Sequence, residues 1–155
     1  MDNPLWDYSL AVYDRPEVAA ACLALQERCA ADVNLVLYAG WLAQCGLQLG
    51  APHLLQVEEA VGDWRESVVK PLRALRRDLR GFAPAADLRE DVRALELRAE
   101  RREQDLIYRC FEAAAPLPAG SPEPAANLAV VLRRSCPDTA LWAPDFERLA
   151  AALAR

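Results

Sequence analysis

Apolar residues recur three and four positions apart along nearly the whole chain, and proline and glycine cut the pattern into segments. That spacing predicts helices, because one helical face returns every 3.6 residues. No segment alternates as a strand would. Asn3 and Pro4 suit the N-cap and first position of a helix carrying Leu5, Trp6, Ser9, Leu10 and Tyr13. Pro16 stops it and opens a second helix, on which Val18, Ala21, Cys22, Leu25 and Cys29 share a face. Asp32 or Asn34 caps a third helix that runs to about Cys45 and ends at Gly46. This one is apolar nearly all round, from Val33 to Leu42, which predicts burial in the middle of a bundle.

The fourth predicted helix starts near Pro52. Leu54, Val57, Val61, Trp64 and Val68 form an inward stripe, and Leu72, Leu75 and Leu79 continue it to Gly81. Pro71 lies inside this helix and should kink it, since proline loses a backbone hydrogen bond and crowds the preceding turn. The fifth helix, from about Pro84 to Ala115, is the longest. Its stripe of Leu88, Val92, Leu95 and Ala99 is interrupted by Glu100-Arg101-Arg102-Glu103-Gln104-Asp105, a stretch expected to stay in solvent. Four prolines between Pro116 and Pro124 mark a loop, and two short helices follow, Ala125 to Ser135 and Pro144 to Ala154. The expected fold is all-α: an antiparallel bundle of six or seven helices, with a kinked helix 4 and a long helix 5. It is read as one domain over residues 1–155, with a main bundle at 1–115, a Pro-rich loop at 116–124 and two short helices at 125–155.

Composition narrows the function classes. With 155 residues, 54% of them hydrophobic, the chain is long enough for one sizeable core. A net charge of −5 gives no global attraction to nucleic acid or to acidic membranes, so neither DNA nor a membrane is an expected partner. Five cysteines, none at C-x-x-C spacing, do not make a disulfide scaffold and point to a reduced, cytoplasmic protein. The N-terminal stretch has no basic segment followed by an apolar run, so it does not read as a signal peptide. The most apolar run, Leu35 to Ala43, falls short of the roughly 20 residues of a spanning helix. Lys70 is the only lysine, and arginine and alanine abound, a composition typical of a GC-rich bacterial genome.

The opening motifs carry a likeness. Trp6-Asp7-Tyr8-Ser9-Leu10-Ala11-Val12-Tyr13, Pro16-Glu17-Val18, Cys22-Leu23-Ala24-Leu25-Gln26 and Asp32-Val33-Asn34-Leu35-Val36-Leu37 with Trp41-Leu42 form the first set. Trp64-Arg65, Val68-Val69-Lys70-Pro71-Leu72-Arg73 and Leu75-Arg76 form the second. Together they resemble a family of small proteobacterial proteins that is named only as a domain of unknown function. The resemblance is strongest over residues 4–80. It implies a small helical cytoplasmic protein and transfers no activity, cofactor or site residue.

The candidate sites are few. His53 is the only histidine, which rules out a di-iron bundle site in one chain and leaves no ready catalytic dyad. It is expected near the surface, in the first turn of helix 4. Cys22 and Cys29 lie on an apolar face and read as core packing. Asp87 and Asp91, one turn apart, would be a weak Mg²⁺–diphosphate pair, but carboxylates favour a helix start anyway. Arg65, Lys70, Arg73, Arg76, Arg77 and Arg80 make a basic ridge on an acidic chain. That ridge would meet an acidic protein surface or RNA phosphates, or pair with the acidic residues of helix 5. Trp6, Tyr38 and Trp41 are candidate lining for a groove. No cofactor is expected. The reading that follows is a non-enzymatic cytoplasmic adaptor or regulator that binds another protein through a helical surface. RNA or ribosome association and a small Mg²⁺–diphosphate enzyme are the alternatives. The sequence does not set the oligomeric state.

Overall fold

A computed structural model describes residues 2–155; Met1, which opens the expected domain, lies outside them. The described residues are helical and carry no β-strand. In order the elements are α1 (Pro4–Tyr13), α2 (Pro16–Cys29), α3 (Val33–Gln44), α4 (Ala51–Trp64), α5 (Lys70–Asp78), α6 (Ala86–Ala113), α7 (Ala125–Ser135) and α8 (Ala143–Leu153). A π turn, Arg65–Val69, joins α4 to α5, so these two form one continuous helix and the described chain has seven. Short 3₁₀ turns fill Leu79–Gly81, Ala83–Ala85 and Thr139–Leu141. The helices group into two compact units: Met1–Leu55 with Ala113–Arg155, and Gln56–Glu112.

In the first unit α3 is the centre, packed by α1, α2 and α7, while α8 lies on α2 and α7. Every residue from Asn34 to Ala43 is buried, as an all-round apolar helix requires. Asp32 caps it, its Oδ1 accepting from the Asn34 N–H at 2.9 Å, and Asn3 caps α1 through the N–H groups of Leu5 and Trp6. α3 stops at Gly46, whose φ of +71° is the left-handed conformation that glycine adopts at no steric cost. Gly40 serves a different purpose. A Cβ there would sit 2.5 Å from the Tyr8 hydroxyl, so only glycine lets α1 approach α3 this closely.

The C-terminal helices complete this same bundle. Asn127 of α7 accepts from the Leu49 N–H at 2.9 Å and donates to the carbonyls of Leu47 (2.9 Å) and Ala39 (3.3 Å). One buried amide thereby satisfies the chain end of α3 and the segment after it. The Pro-rich loop is anchored too: Gln48 N–H donates to Pro118 O and Gly120 N–H to Gly46 O. Arg15 donates to the Ala152 carbonyl at 2.7 Å, tying the start of α2 to the end of α8.

The second unit is a hairpin. One leg is the helix through α4, the π turn and α5; the other is α6, with Trp64 Nε1 donating to Ala99 O at 2.9 Å. Pro71, where a kink is expected, follows an irregular turn. Its ring crowds the carbonyl four residues back, and the turn before it widens to π, where Lys70 N–H reaches Arg65 O. A π turn adds one residue and so rotates everything after it by about 100°. The stripe Leu54, Val57, Val61 therefore does not run on through Leu75, which is exposed, and Val68, Leu72 and Leu79 are only half-buried. It continues through Val69, which is fully buried, and then Arg73 and Arg76, both half-buried.

Candidate interaction surface

The rotated register decides what faces what in the hairpin. Arg73 and Arg76 come in from α5 and meet Glu96, a buried residue of α6. Arg73 Nε lies 3.4 Å from Glu96 Oε1 and its Nη2 3.4 Å from Glu100 Oε1. Arg76 holds Glu96 with both Nε and Nη2, the latter at 3.3 Å. The Glu96 hydrogen bond raises the Arg76 pKa above even its usual value, against the opposing effect of burial. Lys70 pairs with Glu66 one turn back. The basic ridge thus divides. Arg73, Arg76 and Lys70 are engaged within the hairpin, Arg65 is half-buried, and Arg77 and Arg80 are exposed.

Displaced from the facing stripe, the leucines emerge. Leu75 is 46% exposed, Phe82 62%, Leu88 51% and Leu95 46%. Relative to the facing positions, Leu72 and Leu75 on α5 and Leu88 and Leu95 on α6 are rotated in the same sense. In an antiparallel pair, equal rotation places them on one side. Leu72, Leu75, Leu79, Leu88 and Leu95 therefore line one side of the hairpin, with Phe82 at its tip. Carrying the stripe straight through Pro71 places Leu75 in the core, and the 4-3-4 spacing of Leu88, Val92, Leu95 and Ala99 does the same for Leu88 and Leu95. The signal available was charge: of the four arginines spaced 3-1-3, Arg73 and Arg76 meet Glu96 and Glu100 of the next helix.

The remaining candidates fall elsewhere. Tyr38 and Trp41 are buried and stacked, ring centres 6.1 Å apart, and Trp6 is half-buried at the start of α1. His53 is not near the surface as expected. It is buried, with Nε2 2.7 Å from the Tyr38 hydroxyl, because His53, Leu54 and Val57 share the inward face of α4. Glu103 and Gln104, expected in solvent, are buried as well. Helical phase explains Glu103, which follows Val92, Glu96 and Ala99 along one stripe. Asp87 and Asp91 are exposed, and Asp87 Oδ1 accepts from the Leu88 N–H at 2.9 Å in the first turn of α6. Among the described residues no three His, Cys, Asp or Glu side chains gather as a metal site. No helix there is long and apolar enough to cross a membrane. Cys22 and Cys29 are buried, and burial pushes the Cys22 thiol up to about 12.

The family described as a protein of unknown function, DUF2390, matches residues 4–107. The chain belongs to the DUF2390 family. The match extends past the residue-80 limit of the opening motifs and takes in the hairpin with its exposed leucines. No curated protein and no solved structure matches this DUF2390 chain.

Proposed function

We propose that this DUF2390 protein is a non-enzymatic adaptor or regulator of the bacterial cytoplasm that binds another protein along the leucine side of its α5–α6 hairpin. The observation that carries the reading is the exposed set Leu75, Phe82, Leu88 and Leu95. An exposed apolar side of this kind is a usual mark of a protein-docking surface. Arg77 on α5 and Arg80 in the 3₁₀ turn after it are exposed too, and they favour a partner that carries acidic residues. The reduced compartment is supported by an odd number of cysteines, all of them free.

The test compares the tagged wild type with Leu75→Gln/Leu88→Gln and Arg77→Glu/Arg80→Glu variants, expressed in the native host and treated with nuclease. A protein retained by the wild type should be lost by the leucine variant, at least tenfold, and weakened by the arginine variant, with circular dichroism unchanged. Equal recovery by all three would overturn the reading. Material that nuclease removes would favour RNA association instead, with the steep salt dependence that phosphate contacts impose.

A further inference from the structure

We infer that the leucine side of the hairpin pairs with a second copy of this chain, the two α6 helices lying antiparallel about a twofold axis near Leu95. This pairing rests on the docking reading of that side, and names what covers it when no other protein does. Four charges that the hairpin does not use point to it. Asp87, Asp91, Arg98 and Arg102 are exposed on α6 and spaced 4-7-4. That spacing puts them on one stripe of the helix, and the stripe borders Leu88 and Leu95. Glu96 and Glu100 are instead taken by Arg73 and Arg76. Among the described residues Asp91, Arg98 and Arg102 have no ion pair within the chain, and Asp87 accepts only from the Leu88 N–H. The exposed stripe is thus acidic towards the tip of the hairpin and basic away from it.

This order of charge complements itself in one direction only. Asp91 and Arg98 stand at equal distances either side of the midpoint between Ala94 and Leu95, and so do Asp87 and Arg102. A twofold axis through that midpoint, across the helices, sets Asp91 of each copy against Arg98 of the other. It sets Asp87 of each against Arg102 of the other, so symmetry doubles both pairs. A parallel arrangement would bring Asp91 to Asp91 and Arg98 to Arg98, which repels. The apolar residues fit the antiparallel arrangement. Leu95 falls at the axis and meets Leu95 of the other copy. Leu88 falls level with Arg102, whose aliphatic stem covers it while the guanidinium reaches Asp87. Leu72, Leu75 and Leu79 of α5 widen the contact on the same side. Leaving water drives the leucines together, and the charges set the direction.

The experiment measures the mass of the purified full chain by sedimentation equilibrium over roughly 1–100 µM, the range in which a small interface dissociates. Wild type should pass from monomer to dimer. Asp91→Arg and Arg98→Asp each bring like charges together and should weaken the dimer at least about tenfold. Both positions are exposed, so neither variant should change the melting temperature. Mixed in equal amounts, the two variants should pair with each other as tightly as wild type pairs with itself, because every facing charge is again opposite. Leu75→Gln/Leu88→Gln should also weaken the dimer. A wild type that stays monomeric throughout would overturn the pairing, while capture of another protein by the tagged wild type would still uphold the docking reading. A dimer lost in the leucine variant, with no other protein captured, would uphold the pairing and overturn the adaptor. A dimer that survives the leucine variant lies on another face and overturns the assignment. A mixture no tighter than either charge variant alone overturns the antiparallel register.

Discussion

The two units of this chain differ in what they bury: one is almost wholly apolar inside, the other adds a cluster of ion pairs. In Met1–Leu55 with Ala113–Arg155, the central helix α3 buries leucine, valine, tyrosine and tryptophan on every side, and its buried polar groups are tied to named partners. In Gln56–Glu112, the stripe between the legs of the hairpin carries Arg73, Arg76 and Glu96 among buried Val61, Val69, Val92 and Ala99, while Leu75, Leu88 and Leu95 are exposed. The difference teaches that helical periodicity alone does not say which face is inward. An apolar core gains free energy from each buried side chain, about 1.5–3 kcal/mol apiece. A buried ion pair returns little net stability, because desolvation offsets attraction, but removing one partner is costly. The first unit is thus built for stability. The second also pairs charges between the legs of its hairpin and leaves Leu75, Leu88 and Leu95 exposed.

The largest effect should come from the first unit. Leu25 is fully buried on α2. Leu25→Ala removes its buried methyl groups and leaves a cavity, at a cost of about 2–5 kcal/mol. Urea unfolding should show a lower midpoint, and a loss within error of zero would mean that this core is not close-packed. Next comes the hairpin. Glu96→Ala leaves Arg73 and Arg76 half-buried without their main acceptor, at a cost of about 1–3 kcal/mol. Glu96→Gln, which keeps the shape and an acceptor oxygen, should lose less. Equal losses for the two would show that shape rather than charge sets the register.

A smaller effect tests a weak point of the apolar unit. The Tyr8 hydroxyl is buried against Gly40 with no hydrogen-bond partner. Tyr8→Phe should therefore be neutral or stabilising by up to about 1 kcal/mol at neutral pH. Burial raises the Tyr8 pKa to about 12, from 10 in an exposed tyrosine. The folded state thus resists ionisation that the unfolded state permits, so stability present below pH 10 is lost as pH rises towards 12. The variant should lose less over that window. Part of the loss should persist, because the buried Cys22 thiol is also held up to about 12. A wild-type stability that stays flat from pH 10 to 12 would contradict the burial of both groups.

Much of the fold is legible in the sequence. Asn3, Asp32, Pro16 and Gly46 mark helix ends through chemistry that acts locally, and the all-apolar α3 announces its central place. What the sequence hides depends on phase and on distant neighbours. One added residue in the turn before Pro71 brings Arg73 and Arg76 towards the facing stripe and turns Leu75 out, and no local propensity reports that change. His53 reads as a surface residue until Tyr38, on another helix, is known to meet it. The candidate surface was therefore half visible: the arginines by composition, the leucines only once the register was known.

The smallest stability effect should come from the leucines themselves, and this sharpens the contrast most. Leu88 and Leu95 are half in water already, so replacing both with glutamine removes little buried area. The pair should change stability by no more than about 0.5 kcal/mol per site, far below the cost of Leu25→Ala. Solubility should rise, since an exposed apolar side is broken. Binding of the partner should nonetheless fall at least tenfold, because docking is where these side chains lose their water. A double variant that unfolds like Leu25→Ala would show that the leucines are core after all, and that the hairpin is held by them rather than by Glu96. One that is stable yet binds as well as wild type would leave the ion pairs as the hairpin's organising feature and remove the leucine side from its function.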